Sequence, residues 1–370
     1  MSNQPFFDLL KYALHPNLTV PKSVGEINWQ ELLAFARKQG ITGTYAGVIL
    51  NDNQALSDCE WYGNRPSEDD VMDWMGESIK LRRRNTTLFA KSAEISERLR
   101  KKGFDNCILK GQGLALLYPD PYLRTAGDID IYLEGGRKKV TEFVDNICPG
   151  QTLRYHHIDF PVYPEVPIEV HFMPSYMYNS IHNRRIQQWF KDVMPKQCAH
   201  RVALPDGKGE IPVPTTAFNI VYILSHLYRH VFSEGFGLRQ LLDYYYVLSQ
   251  DISKEEVFEA RQLIKSMGMG KFAGGVMYLL QQCFGLPDDR LLFPVNKSDG
   301  EFLLNEVMIG GNFGKYDKRL GDKQHEDKLQ RNVRMTRRNL RFALHYPAEA
   351  LCEPLFRFQF GVWKKMNGRR

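Results

Sequence analysis

The stretch LKGQGLALLYPDPYLRTAGDIDIYL, Leu109 to Leu133, constrains this chain more than any other, because it sets two carboxylates into a run that otherwise favours burial. In a strand, residues i and i+2 share a face, so Asp128 and Asp130 project together while Ile129 and Ile131 supply the buried side. Two like charges roughly 6–7 Å apart resist burial unless a cation neutralises them. An edge strand with one polar face explains such alternation without any function. Against that stand the poor strand propensity of Asp and the presence of Gly127 directly before the pair, where close backbone approach would be useful.

The surroundings sharpen the reading. Upstream, Gly111 and Gly113 lie where a strand turns into a helix, so backbone N–H groups at the helix start can face an anion. Downstream, PIEVHF repeats the alternation, with Ile168 and Val170 on one face and Glu169 and His171 on the other. Three carboxylates converging from neighbouring strands suit one or two Mg²⁺ ions, which take hard oxygen ligands and usually bind substrate phosphates as well. Phosphoryl or nucleotidyl transfer is the chemistry such a site performs.

The rest of the chain gives this unit a helical setting. At 370 residues the chain exceeds one typical domain, and 43% hydrophobic with 25% charged residues is enough to bury a core and excludes wholesale disorder. We expect a helical region over 1–103, an α/β unit over 104–213, a helical domain over 214–290, and a loop followed by a basic and aromatic helical region over 291–370. In the long segment before Gly103, Leu88, Ser92, Ile95 and Leu99 share one helical face, and Gly103 ends the helix as a C-cap glycine does. The basic residues between Arg82 and Lys101 read as a solvated face. The α/β unit is written as a strand over about 106–110, a helix from GQGLALLY, the GDIDIYL strand, a helix in GRKKVTEFVDNI and two extended pieces, the last over 167–172. Beyond Pro214, helices return, with Thr215/Thr216 and Ser253 as N-caps.

Composition also limits partners and compartment. The six cysteines are dispersed with no CxxC pair, which favours free thiols in a reducing compartment over disulfides or zinc. No segment approaches the roughly 20 apolar residues of a membrane helix, and no signal-peptide pattern opens the chain, so a cytoplasmic protein is expected.

With these residues in view, the Leu109–Leu133 block, followed by IEVHF, SHLYRH and LRQLLDYYYVL, resembles the nucleotidyltransferase superfamily typified by DNA polymerase β. More narrowly it is similar to a large, mostly uncharacterised bacterial branch of stand-alone nucleotidyltransferases, whose signature runs LKG-x-x-L…YP-x-P-x-x-R-x-x-x-D-h-D. The resemblance covers about Ile108 to Ser249. It implies an α+β fold, a small mixed-sheet nucleotidyltransferase domain flanked by N-terminal and C-terminal helical segments. It further implies Asp128, Asp130 and Glu169 as catalytic residues and Mg²⁺ ligands, and Gly111 with Gln112 as the phosphate-facing turn. Lys110 and Arg124 join as candidate nucleotide-binding residues, the first beside the turn and the second within the signature. The expected reaction is transfer of AMP from ATP to an unidentified hydroxyl- or phosphate-bearing acceptor, a small molecule, sugar or protein. In the wider superfamily the second turn position is Gly or Ser; here it is Gln112. The alternative is therefore a catalytically inactive binding module on the same fold, antitoxin-like or an adaptor.

Other features read more plainly. His226 and His230 share a helix face without the HExxH pattern of a zinc site, and are expected to face the cleft or to be satisfied in the helix. Arg239 and Asp243, at i, i+4, are expected to form a local ion pair. His156 and His157 receive no role. NFGKYDKRLGDKQHEDKLQ reads as a loop of low order. Arg331, Arg334, Arg338 and Arg341 fall on one helical stripe, and the tail interleaves Phe358, Phe360 and Trp363 with basic residues. That pattern suits nucleic acid or an anionic membrane, but an amphipathic helix packing its aromatics inward is the plainer explanation, and nucleic acid is not favoured.

Overall fold

The computed structural model describes residues 3–15, 17–55, 61–320 and 328–367. Three helices open the chain, α1 (Gln4–Leu14), α2 (Trp29–Gln39) and α3 (Thr42–Ala55), followed by the 34-residue α4 (Glu68–Lys101). Ser67 starts α4 with a reciprocal cap, its hydroxyl accepting from the Asp70 N–H while the Asp70 carboxylate accepts from the Ser67 N–H. Its end is a Schellman turn: Gly103 has a positive φ of 80°, and the Phe104 N–H reaches back to the Leu99 carbonyl.

The sheet that follows has the order β1-β2-β4-β3 and is mixed. Strand β1 (Asn106–Leu109) pairs antiparallel with β2 (Ile129–Leu133), which pairs parallel with β4 (Ile168–His171), and β3 (His157–Asp159) closes the far side antiparallel. Between the strands run α5 (Gly111–Ala115) and α6 (Gly136–Ile147). Ile108, Ile129, Ile131, Ile168 and Val170 form a hydrophobic cluster against Leu88, Phe89, Ile95 and Leu99 of α4. The face of α4 expected to be apolar is thus the one that covers the sheet, and the arrangement is the α+β mixed-sheet fold.

Helix α7 (Ser180–Ala199) and a hairpin of β5 (Arg201–Ala203) and β6 (Glu210–Pro212) occupy the stretch before Pro214, for which the sequence pattern names no element. Four helices follow: α8 (Thr216–Phe232), α9 (Leu238–Leu248), α10 (Lys254–Ser266) and α11 (Gly270–Phe284). Thr215 and Ser253 cap α8 and α10 as expected. Helix α12 (Lys297–Gly310) packs on α11, and a C-terminal hairpin of α13 (Lys328–Ala343) and α14 (Pro347–Met366) ends the described chain. The N-terminal helices share one continuous core with α8, α9 and α11. The loop expected over 312–330 carries two short 3₁₀ turns, Asn312–Gly314 and Lys318–Leu320, and its residues 321–327 lie outside the described residues. Five cysteines are free thiols among the described residues; Cys59 is outside them. No described helix is long and apolar enough to cross a membrane.

Candidate active site

The site is assembled where β1 ends, β2 begins and β4 runs alongside. Asp130 pairs in register with Leu109 on one side and Glu169 on the other, so the parallel alignment of β2 with β4 sets the two carboxylates abreast on one face. Ile129 and Ile131 are fully buried on the opposite face, as the alternation requires. Asp128 is the residue immediately before β2 and is partly exposed, so the strand is two residues shorter than the GDIDIYL stretch of the sequence suggests. Gly127 makes no close backbone approach: a Cβ there would meet no atom within 4 Å. The glycine that does need its bareness is Gly113, where a Cβ would come within 2.9 Å of Val213.

Asp130, 5% exposed, is held at both oxygens. Lys110 Nζ lies 2.9 Å from Oδ2, and His171 Nε2 lies 2.8 Å from Oδ1. Burial disfavours the ionised form, but the Lys110 ammonium and the His171 hydrogen bond outweigh it and keep the Asp130 carboxyl well below the usual carboxylate range. Asp128 is the opposite case, pushed up to about 6 by burial and by the neighbouring Asp130 charge. His171 also approaches Glu169 Oε2 at 3.6 Å; burial opposes its charge, yet its bonds to Asp130 and Glu169 raise it above an ordinary imidazole. Glu169 is lowered, its burial outweighed by His171, and His157 Nδ1 stands 3.3 Å from it.

Lys110 reaches the acids because of its backbone. Its φ of +52° is uncommon for a residue with a side chain, and it turns the chain from β1 into α5 at the edge of the acidic face. Its ammonium also lies 3.4 Å from His226 Nε2, which in turn is 2.9 Å from His230 Nε2. Burial and the Lys110 charge keep His226 well below the ordinary imidazole value. The two α8 histidines therefore line the roof over Lys110.

Gln112, expected to face phosphate, turns its side chain the other way. It is 1% exposed, its Oε1 accepts from the Ser92 hydroxyl of α4 at 3.1 Å, and its Nε2 is a buried donor without a protein partner among the described residues. What the turn presents is main chain: the first bond within α5 is made by the Leu114 N–H to the Lys110 carbonyl, so the N–H groups of Gly111, Gln112 and Gly113 precede it.

Arg124 is 3% exposed and forms a two-pronged pair with Asp243 of α9, at 2.7 and 2.8 Å, while the Tyr118 hydroxyl donates to the same carboxylate at 2.7 Å. The third guanidinium nitrogen, Nη1, is a buried donor with no protein partner among the described residues. The local Arg239–Asp243 pair is not formed, because Asp243 is taken by Arg124 and Arg239 donates to the Thr125 carbonyl at 2.9 Å. Helix α4 anchors the same loop: Asn85 donates to the carbonyls of Tyr122 and Arg124, Arg82 pairs with Asp120, and Arg84 donates to the Gly127 carbonyl. Part of the α4 basic face thus holds the loop that delivers Asp128.

A family model described as "Uncharacterised nucleotidyltransferase" matches residues 25–285, more than half of the chain. The chain belongs to that nucleotidyltransferase family. Membership supports nucleotidyl transfer as the class of function. A similar solved structure, that of an antigenic nucleotidyltransferase-like protein from Paracoccidioides brasiliensis, shares 15% identity over 57% of this chain and 94% of that one, with a TM-score of 0.35, too loose a likeness to argue from. No curated protein matches the chain.

The carboxylates of Asp130 and Glu169 are oxygen donors of the kind a hard divalent cation takes, while the histidines beside them are softer nitrogen donors. Asp130, Glu169 and His171 bring ligand atoms within 4.8 Å of one another, as do His157, Asp159 and Glu169, and the three histidines His156, His157 and His171. Asp128 is in none of these groups, but its carboxyl is raised by burial and then by repulsion from the same acids, and a cation would relieve the second. The sequence pattern gives His171 no role although it alternates with Glu169, because a histidine on a polar strand face carries no sign of its partner.

Proposed function

We propose that this nucleotidyltransferase transfers a nucleoside monophosphate, AMP from ATP, to a hydroxyl- or phosphate-bearing acceptor and releases pyrophosphate. The observation that carries the reading is the in-register pairing of Asp130 with Glu169 beside the strained Asp128 carboxyl. Asp128, Asp130 and Glu169 would hold Mg²⁺, which when bound supplies charge neutralisation at the α-phosphate and the leaving pyrophosphate. Lys110, on the Gly111–Gly113 turn, offers its ammonium to a triphosphate in exchange for Asp130. Backbone N–H groups of the turn provide donors to the same phosphates. Arg124 fixes the loop through Asp243 and keeps Nη1 for a ligand oxygen. Glu169, flanked by His157 and His171, orients the acceptor hydroxyl and takes its proton.

The Gln112 side chain turns into the protein toward Ser92, so its size does not by itself obstruct the turn. The test is incubation of the full chain with each α-labelled NTP, Mg²⁺ and a cell extract. We expect label from ATP to appear on an acceptor with wild type and not with Asp130→Asn. Nucleotide binding without any transfer, for every NTP and extract tried, would replace the enzyme by a binding module.

A further inference from the structure

We infer that the α13–α14 hairpin is a docking surface for an anionic lipid membrane. Residues 328–367 hold nine Lys and Arg against two acids, so this one hairpin carries more positive charge than the chain's net +6. Both acids, Glu349 and Glu353, are buried, which leaves the hairpin's outer surface without a carboxylate among the described residues.

The same hairpin exposes apolar side chains in narrow stripes. On α13, Leu329, Val333 and Leu340, and directly after it Leu344, are 59–89% exposed, and at 3.6 residues per turn they fall within one band. On α14, Leu351, Leu355, Phe358, Val362 and Met366 form the matching band. Each stripe lies opposite the residues that pack on the body: Phe342 and Arg338 on α13, the latter donating to the Val231 carbonyl, and Glu349, Phe356 and Phe360 on α14. Exposed Arg337 and Lys365 flank the stripes.

Apolar stripe with cationic flanks and no exposed acid is the pattern of a helix lying in a membrane interface. It disfavours a second copy, because the two faces would bring only like charges together. It disfavours nucleic acid as well: of the three tail aromatics, Phe360 and Trp363 are stacked on each other and turned toward Tyr155 and Arg137, leaving Phe358 outside among mainly aliphatic groups.

The test is cosedimentation of the full chain with mixed phosphatidylcholine–phosphatidylglycerol vesicles and with pure phosphatidylcholine vesicles, alongside light scattering and RNA binding. We expect binding to the mixed vesicles that weakens with salt, and little to the neutral ones. Replacing exposed Leu355 and Phe358 by Ser should lower partitioning at least about tenfold. Arg337→Glu with Lys365→Glu should lower it about fivefold or more per residue, while melting temperatures stay near wild type. The inference fails if no vesicle binding occurs at low salt or if the Ser variant binds as well as wild type. It fails equally if the hairpin instead drives a dimer that the Ser variant dissolves, or binds RNA in place of vesicles.

Discussion

Two buried charge networks border the loop over residues 118–128, and they are built in opposite ways. At one end Arg124, Asp243 and Tyr118 close on each other, with both carboxylate oxygens of Asp243 occupied and its carboxyl held low, burial being outweighed by Arg124. At the other, Asp128, Asp130 and Glu169 crowd a face where Lys110 and His171 satisfy Asp130 and leave Asp128 pushed up to about 6. A satisfied network fixes geometry; an over-acidic one is where a cation and a phosphate can be added. The first ties the loop to α9, and the second stands where the loop runs into β2.

The largest effect should come from opening the closed network. Arg124→Leu leaves Asp243 buried without its partner and should cost about 3–5 kcal/mol in denaturant unfolding, whereas the double Leu replacement of Arg124 and Asp243 should recover most of that. A small loss for the single variant would show that the pair is not the frame of the loop. Next, the two neighbouring aspartates should part company. Asp130→Asn strands the Lys110 and His171 charges and should cost about 1–3 kcal/mol. Asp128→Asn removes repulsion and should stabilise the metal-free protein by about 1–2 kcal/mol. Equal effects of the two would erase the distinction between them.

The smallest effect is in pH. Because Asp128 is raised from 3.8 to about 6, its stabilising contribution is complete below its ordinary value and is lost as pH rises through about 6. The stability of metal-free wild type relative to Asp128→Asn should therefore be greater on the acid side of that window than on the alkaline side, and Mg²⁺ should reverse that difference by binding the ionised form. Raised His171 acts in the same direction as Asp128, while His156, His157, His226 and His230, kept neutral chiefly by burial, act in the opposite one and are common to both proteins, so the difference between them isolates Asp128.

Much of this was legible in the residues, and the limits follow from range. The β1–turn–β2 block, the apolar face of α4, the caps at Thr215 and Ser253 and the alternation in IEVHF all depend on neighbours within a few positions, where spacing speaks directly. Asp243 lies 119 residues from Arg124, so its true partner could not be told from the nearer Arg239. Helix α7 buries only Ile186, Phe190, Met194 and Gln197, a stripe thin enough to pass for a polar segment, and it carries Pro195 inside. The direction of Gln112 depends on Ser92 of a different helix. On the C-terminal stripe, Arg338 is buried and pushed down to about 10 by desolvation, because its helix packs on α8 rather than standing free.

We propose the over-acidic face as a divalent-cation site that recruits a nucleoside triphosphate. Calorimetric titration of wild type and Asp130→Asn with ATP, with and without Mg²⁺, tests it most directly. Wild type should bind ATP only with Mg²⁺ present, and that binding should disappear in the variant. Binding of equal strength without Mg²⁺, or undiminished in Asp130→Asn, would contradict it.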